Sequence, residues 1–227
     1  MIDPSRERLI QRIRRSYHLR WIPVEAAGQV FQIAKVADPN SVFHEAMYDE
    51  SQQQDQPLAW QPYWAEAWES SVVLAQVLAE LGVAGQSVMD LGCGVGVVGA
   101  VAAGCGADVL LGDIAQPGLL FSQLNCWPWK ERAVVLRLDW DHDHLGRQFD
   151  VIAAADVVYD RKNWPGLDRF WREHLAPGGS VIVSEPSRIT GKEFRETIVE
   201  RGWILDGSLG IRRVNHREII LTRLTPR

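Results

Sequence analysis

Four glycines in eight residues, Gly92, Gly94, Gly96 and Gly99, follow an aspartate and open an apolar stretch. Glycine tolerates positive φ and lets a ligand approach the backbone closely. The helix predicted after these residues offers unpaired N–H groups to a negatively charged part of a ligand. A tight turn between a strand and a helix needs fewer glycines, so the sequence predicts a loop that holds a ligand.

The acidic residue before this loop, Asp90, distinguishes two kinds of ligand. Residues 94–99 read GxGxxG, a dinucleotide fingerprint that is weak evidence alone. A carboxylate beside the loop would repel a pyrophosphate but suits a ligand with a positively charged amino group, such as S-adenosylmethionine. Asp113 ends the next predicted strand, 19 residues after Gly94, where a carboxylate can accept both ribose hydroxyls of an adenosine. The pattern therefore favours S-adenosylmethionine, with a nicotinamide dinucleotide as the alternative.

Two further predicted strands end in residues that could contact the same ligand or its reaction partner. Asp139 and Trp140 follow one strand, where a carboxylate can accept from an adenine amino group and an indole can lie against the ring. Ala155 ends the other strand at the ligand cleft, and Asp156 and Tyr159 follow it. An acidic and a phenolic group there can hold a nucleophile in line with a methyl group. The alternative is two solvated loop aspartates, a packed tryptophan and a tyrosine in a lid.

Strands and helices alternate regularly from Pro62 onward, which predicts an α/β, doubly wound parallel sheet. Apolar runs such as residues 151–155 lack period-2 alternation, which is typical of strands covered on both faces. Because the last two strands have only a short connection, we expect the final strand to be antiparallel to its neighbour. The seven predicted strands are residues 87–91, 108–112, 134–138, 149–155, 180–185, 203–208 and 218–224. The predicted helices are residues 62–81, 95–103, 117–126, 164–175 and 192–201.

The N-terminal part has a different pattern, so we predict an extension over residues 1–60 and a ligand-binding domain over residues 61–227. Within the extension, residues 5–16 are predicted as a basic helix with a narrow apolar face. Strands over residues 20–24 and 29–36 form a predicted hairpin, and residues 37–60 are predicted as a loop. The arginines of the helix could contact an acidic partner or a nucleic acid, or could form a solvated face.

The segment DLGCGVG followed by GDI resembles the first two motifs of class I, seven-strand S-adenosylmethionine-dependent methyltransferases. Three more features resemble the protein-lysine methyltransferases of that class: the tryptophan-containing segment PYWAEAW, the tripeptide LDW and the Asp-x-x-Tyr motif in ADVVYD. The PYWAEAW segment and the SEPSR turn of residues 184–188 are similar to electron-transfer-flavoprotein β-subunit lysine methyltransferases. The resemblance covers residues 60–224 and implies a Rossmann-like methyltransferase sheet.

The resemblance also implies a function, the methylation of a protein lysine side chain with S-adenosylmethionine as the cofactor. A small amine or heterocycle as the acceptor is an alternative within the same chemistry, and a nicotinamide-dependent oxidoreductase or a non-catalytic cofactor-binding protein lies outside it. The cofactor would contact the loop and strand-end residues Trp68, Asp90, Gly92, Gly94, Gly96, Asp113, Asp139, Trp140 and Ala155. The substrate amine would lie between the two remaining residues, Asp156 and Tyr159.

Composition bounds the remaining possibilities. The chain has 227 residues and a net charge of −5, which makes nucleic acid an unexpected partner. The three cysteines lack metal-ligand spacing, so free thiols in the cytoplasm are expected. The segment Asp141–His144 cannot turn all four side chains toward one ion, so we expect no metal. We also expect no secretory signal and no membrane span, because no stretch of 18 apolar residues exists.

Overall fold

The computed structural model describes residues 3–48 and 61–227, which form seven α-helices and ten strands. The helices are α1 (Pro4–Arg14), α2 (Pro39–Tyr48), α3 (Glu69–Leu81), α4 (Val97–Gly104), α5 (Gln116–Asn125), α6 (Trp164–His174) and α7 (Ile189–Glu200). The strands are β1 (Leu19–Ala26), β2 (Gln29–Val36), β3 (Ser87–Leu91), β4 (Asp108–Asp113), β5 (Ala133–Arg137), β6 (Phe149–Ala155), β7 (Leu175–Pro186), β8 (Trp203–Asp206), β9 (Ile211–Val214) and β10 (Arg217–Pro226).

The main sheet has the order β5-β4-β3-β6-β7-β10-β8, with β9 paired to β10. Strands β3 to β7 are parallel, and β10 is antiparallel to β7, β8 and β9. The doubly wound sheet and its antiparallel last strand are therefore confirmed. Because β3 has β4 on one side and β6 on the other, the direction of winding reverses beside it. Such a reversal leaves a crevice at the carboxyl ends of the strands.

Successive residues of the central strands alternate between two cores. Val88 belongs to the core on one side of the sheet, with α3, α4 and α5, and Met89 belongs to the core on the other side, with α6. Both side chains are fully buried. The sheet is thus covered on both faces, as the apolar strand runs predict.

The sheet contains one strand more than predicted. Strand β9 is a short partner of β10, and its residues are mostly exposed. Asn215 and His216, at the turn between the two strands, both have positive φ. All seven predicted strands are present. The sequence did not reveal β9, because an exposed strand of this kind, Ile-Arg-Arg-Val, has no apolar alternation.

The N-terminal hairpin is confirmed as a separate two-stranded antiparallel sheet of β1 and β2. Ala27 and Gly28 make the turn, both with positive φ. The inner face of the hairpin buries Val24, Phe31 and Ile33 in the same core as α3, α4 and α5. The hairpin therefore packs on the main domain as part of its core.

Two predicted elements of the N-terminal half were wrong. Residues 39–48 form α2 and not a loop, and the rest of the predicted loop, residues 49–60, lies outside the described residues. The Asp38 side chain accepts the N–H of Asn40 at the start of this helix, as residues that cap a helix do. An aspartate before a proline is equally typical of a loop, so the sequence did not reveal the helix.

The helix predicted over residues 62–81 begins only at Glu69, and a short 3-10 turn, Tyr63–Ala65, precedes it. Trp64 is turned into the core, and the indole N–H of Trp68 donates to the carbonyl of Tyr63 at 2.9 Å. The burial of Trp64 overrides the helical spacing of the tryptophans, so Trp64 and Trp68 do not share a helix face.

In the described part of the chain, no helix is both long and apolar enough to span a membrane.

Candidate active site

The glycine loop connects β3 to α4. Three of its glycines, at every second position, have a backbone in the left-handed region of φ. The φ angles of Gly92, Gly94 and Gly96 are +70°, +53° and +78°. A methyl group on Gly92 would lie 2.8 Å from a methyl carbon of Val157, and one on Gly96 would lie 2.8 Å from the hydroxyl of Ser122. The loop thus requires glycine both for its backbone conformation and for its close packing against neighbouring side chains.

Asp113, the last residue of β4, contacts this loop directly. Its carboxylate accepts the N–H of Gly94 at 2.7 Å and the N–H of Ala115 at 2.8 Å. Burial raises the pKa of Asp113, although both of these N–H groups oppose that shift. The carboxylate lies beside the glycine loop at the carboxyl edge of the sheet, where the sequence predicts a contact with ribose.

Asp90 in β3 is buried below the loop, with a side-chain oxygen that accepts the N–H of Gly99 in α4 at 2.8 Å. Burial raises the pKa of this carboxyl to about 7, despite the hydrogen bond from Gly99. The residue therefore joins the strand to the helix on either side of the loop. Its contact with a ligand amino group stays a prediction.

We expect Asp90→Asn to stabilise the protein at pH 8 more than at pH 5. A carboxyl that titrates near pH 7 when folded but near 3.9 when unfolded lowers the free energy of unfolding as the pH rises between these values. Asparagine keeps the acceptor for Gly99 without the charge. Relative to the native chain, the gain should be larger at pH 8 than at pH 5 by roughly 2 to 3 kcal/mol.

Urea unfolding of both chains at the two pH values measures this difference. Other buried acids, such as Glu185, are present in both chains and cancel in the comparison. An equal difference at pH 5 and pH 8 would show that Asp90 does not titrate in this interval.

Asp139 and Trp140 follow β5 at the same edge of the sheet. A methyl group on Gly92 would lie 3.5 Å from a ring carbon of Trp140, so the indole borders the glycine loop. The Asp139 carboxylate accepts the N–H of Asp141 at 3.0 Å and lies 3.0 Å from Nδ1 of His142. It thereby closes a local turn, and its predicted contact with adenine stays a prediction.

Asp156 follows Ala155, the half-buried last residue of β6, and has a strained backbone with φ of +53°. Its N–H donates to the carbonyl of Ser184 at the end of β7 at 2.7 Å. Its carboxylate accepts two hydrogen bonds from Arg188, at 2.6 and 3.2 Å. Burial raises the pKa of Asp156, against the lowering effect of Arg188. A substrate ammonium would therefore meet a carboxylate that is already paired.

Tyr159 belongs to a group of aromatic rings beside Asp156, which we call the aromatic cluster: Phe43, Tyr63, Trp68 and Tyr159. The Tyr63 ring is central, 5.4 Å from Tyr159, 5.8 Å from Phe43 and 6.4 Å from Trp68 between centroids. Burial, aided by the neighbouring Tyr63 and acidic groups, raises the pKa of Tyr159 to about 12. Its hydroxyl therefore stays protonated at neutral pH.

A second buried ion pair lies next to Asp156. Glu185 in β7 is only 3% exposed and pairs with Arg195 of α7. Burial raises its pKa to about 7, and the negative charge of Asp156 adds to this effect. The ends of β6 and β7 thus have two carboxylates, each with an arginine partner.

Asn125, at the end of α5, braces the glycine loop from behind. Its amide donates to the carbonyl of Val95 at 2.8 Å and to that of Ala34 in β2 at 2.9 Å, and its oxygen accepts the N–H of Ala34 at 2.7 Å. Ser122, one turn earlier, donates to the carbonyl of Gly94 at 2.8 Å. The N-terminal hairpin is thus hydrogen-bonded to the loop through one buried side chain.

We expect Asn125→Leu to lower the free energy of unfolding by about 3 kcal/mol, because buried backbone groups of Ala34 and Val95 lose their partners. Thermal and urea unfolding measure the loss. The exposed Gln116→Leu, in the first turn of the same helix, serves as the control and should change stability by less than about 0.5 kcal/mol. Equal stability of the two variants would show that the hydrogen bonds of Asn125 to Ala34 and Val95 do not stabilise the fold.

The sequence alone predicts no role for Arg188, Glu185, Asn125 or Phe43. Arg188 and Glu185 lie in the SEPSR segment, whose sequence signal is its resemblance to the lysine methyltransferases. Asn125 left one signal, since Ser122 and Asn125 are polar residues three apart on the apolar face of a helix. Phe43 left none, because its segment was predicted as a loop.

One group of metal-type side chains occurs in the described residues, formed by His144, Glu173 and His174. The ring nitrogens of His174 lie 2.8 Å from the carbonyl of Phe170 and 3.0 Å from the N–H of Leu145. Because these backbone groups occupy both nitrogens, His174 is a structural residue, and the group does not offer three free ligands.

Comparison with known proteins gives the family. A family model described as lysine methyltransferase matches residues 62–200. The protein N-lysine methyltransferase METTL21A of Danio rerio is 33% identical over 129 residues, which are 52% of this chain and 58% of the relative. The EEF1A lysine methyltransferase 3 of Mus musculus is 26% identical over 172 residues, 68% of this chain and 73% of the relative. The match thus spans less than two thirds of the Danio rerio protein.

Solved structures agree on the fold. The glycopeptide N-methyltransferase MtfA in complex with S-adenosylmethionine superposes with a TM-score of 0.56 at 14% sequence identity, over 69% of this chain and 94% of that one. The chain therefore has the class I methyltransferase fold. Since the matching family model covers more than half of its residues, the protein belongs to the lysine methyltransferase family.

Proposed function

We propose that this protein transfers a methyl group from S-adenosylmethionine to the side-chain nitrogen of a lysine in a protein substrate. The observation that carries the proposal is the set of side chains at the carboxyl edge of the sheet, where the reversal of winding beside β3 leaves a crevice. The glycine loop follows β3, Asp113 ends β4, and Asp156, with Tyr159 of the aromatic cluster, follows β6. Membership of the lysine methyltransferase family supports this function over a nicotinamide-dependent oxidoreductase, a small-amine methyltransferase or a non-catalytic protein.

The residues at the glycine loop fit the cofactor. A methyl group on Gly92 or Gly96 would collide with Val157 or Ser122, so glycine at these positions lets the loop pack closely in the shape that would hold the cofactor. Asp113 would accept the ribose hydroxyls, Trp140 and Asp139 would flank the adenine, and Asp90 and Trp68 would lie near the methionine part. When bound, S-adenosylmethionine supplies a methyl group on a positively charged sulfur.

The chain's own contribution is to bind and orient a neutral amine. A lysine with a pKa of about 10.4 requires about 4.6 kcal/mol to lose its proton at pH 7. The rings of the aromatic cluster exclude water and lower that pKa by desolvation. Tyr159, protonated at neutral pH, would accept a hydrogen bond from the amine N–H through its hydroxyl oxygen, without acting as a base. Asp156 would attract the ammonium in competition with Arg188 and then accept a hydrogen bond that directs the lone pair.

We also propose that residues 1–60 form a substrate-side extension of a methyltransferase domain over residues 61–227. The contact of Phe43 in α2 with Tyr63 supports this division, since it brings the extension to the aromatic cluster. We further propose a cytoplasmic location, which the three free cysteines support.

Incubation of a cell lysate with radiolabelled S-adenosylmethionine and the purified protein tests the function. We expect a labelled protein band, with the label on lysine after hydrolysis, and no such band with Asp156→Asn. A label found only in small molecules would overturn the protein substrate, and the absence of any transfer would overturn the enzyme.

A further inference from the structure

Strand β2 has an outer edge that is only partly closed. The amide of Asn125 bonds both the N–H and the carbonyl of Ala34, as an adjacent strand would. Ala34 therefore directs its backbone groups away from β1. Because these directions alternate along a strand, Gln32 and Val30 also direct theirs outward, and the described residues provide no hydrogen-bond partner for them there.

The outer edge of β1 is interrupted at two positions. Pro23, directly opposite Gln32, has no N–H to offer at an outward position. The carbonyl of Glu25, opposite Val30, accepts a hydrogen bond from the side chain of Gln76 in α3 at 3.0 Å. Folded proteins usually block exposed strand edges in such ways. In the described residues, outward backbone groups without a partner remain on both strands, at Trp21 of β1 as at Gln32 of β2, so the surface beside each edge distinguishes the two.

A groove of about 240 Å³ runs along the open edge, between β2 and the turn that follows α5. Its walls include the rings of Phe31 and Trp129, which are 5.5 Å apart between centroids. Trp21, which is 37% exposed, and Arg6 stand at its side, with the guanidinium carbon 5.7 Å from the indole centroid. In the described residues, Arg6 forms no ion pair with a carboxylate. The groove thus combines free backbone groups, apolar walls and one cation.

We propose that an extended segment of the protein substrate adds to the outer edge of β2 at Val30 and Gln32, with an apolar side chain against Trp129 and an acidic one near Arg6. This inference rests on the proposed function for the identity of the partner. Backbone hydrogen bonds give such strand addition its affinity, and pockets for alternate side chains give its specificity. The available volume suits two or three residues, so the segment is short and lies apart from the lysine that is methylated.

The test uses a fluorescein-labelled peptide of alternating phenylalanine and glutamate, (Phe-Glu)₃, and its anisotropy with the full chain. Val30→Pro removes the outward N–H of β2, and Glu25→Pro removes that of the residue directly opposite on β1. We expect Val30→Pro to weaken binding at least about tenfold and Glu25→Pro to change it by less than about twofold. Arg6→Glu, which leaves both strands intact, should also weaken binding and covers the case in which a proline variant does not fold.

A second peptide, N-methylated on alternate backbone amides, separates strand addition from plain apolar contact. It should bind at least about tenfold more weakly than the unmethylated peptide. Equal binding of the two peptides, or an equal loss with both proline variants, would overturn the proposal. A dimer of the free protein that Val30→Pro dissociates would assign the edge to a second copy and overturn the substrate segment.

The outcome is separable from that of the proposed function, because the peptide is measured without methyl transfer. Peptide binding at β2 by a chain that methylates no protein in the lysate would leave the edge as a binding surface and overturn its assignment to the substrate. Methylation of a lysate protein with unchanged efficiency by Val30→Pro would support the proposed function and overturn the inference.

Discussion

Asp156→Asn should lower the rate of methyl transfer at least about a hundredfold while S-adenosylhomocysteine binds as before. The carboxylate is a largely buried acidic group next to the aromatic cluster, and its loss removes both the attraction for an ammonium and the acceptor that directs the amine. Asparagine is the informative replacement, because it tolerates the left-handed backbone of this position, where φ is +53°. Alanine would add backbone strain and confuse the two effects. Single-turnover transfer to the labelled protein, with calorimetric binding of S-adenosylhomocysteine, measures the change.

Arg188→Gln is the matched control, since it breaks the same ion pair but keeps the carboxylate. We expect it to retain activity within about tenfold at pH 8. Because Arg188 lowers the pKa of Asp156, its loss should move the acidic limb of the pH–rate profile to higher pH. If Arg188→Gln loses as much activity as Asp156→Asn and its pH profile does not move, Asp156 serves only to hold Arg188.

Gly96→Ala should weaken the binding of S-adenosylhomocysteine at least about tenfold and destabilise the fold by about 2 to 4 kcal/mol. The new methyl group would lie 2.8 Å from the hydroxyl and 2.9 Å from Cβ of Ser122, and the backbone has φ of +78°. Displacement of Ser122 would release the carbonyl of Gly94, which its hydroxyl holds. Urea unfolding and calorimetric titration measure the two effects.

Gly85→Ala separates backbone strain from collision. Its φ is +74°, close to that of Gly96, but a methyl group there meets no atom within 4 Å. We expect a loss of about 1 to 2 kcal/mol in stability and unchanged affinity for S-adenosylhomocysteine. The same affinity in Gly96→Ala and Gly85→Ala would mean that the packing of the loop against α5 does not shape the cofactor site.

The sequence by itself determined the sheet and the position of the crevice. Alternating strands and helices predict a doubly wound parallel sheet. The carboxyl ends of parallel strands lie at one edge of the sheet, whatever the order of the strands. Asp90, Asp113 and Asp156 are found at the ends of β3, β4 and β6, as expected. The glycine loop could also be predicted, because positive φ and close approach are local demands that only glycine meets.

Only the tertiary structure decided which groups pair across that edge. Arg188 reaches Asp156 from 32 residues away, and Asn125 reaches Ala34 from 91 residues away. Such contacts depend on the order of strands and the packing of helices, so the local pattern does not identify the partner even where, as at Asn125, it marks the residue. The same reason explains the late start of α3: the tryptophans before it have helical spacing, but burial of Trp64 and the indole hydrogen bond of Trp68 to Tyr63 outweigh that local preference. The partly open edge of β2 is likewise a feature of the tertiary structure. Asn125 satisfies the outward backbone groups of Ala34 but not those of Gln32 and Val30.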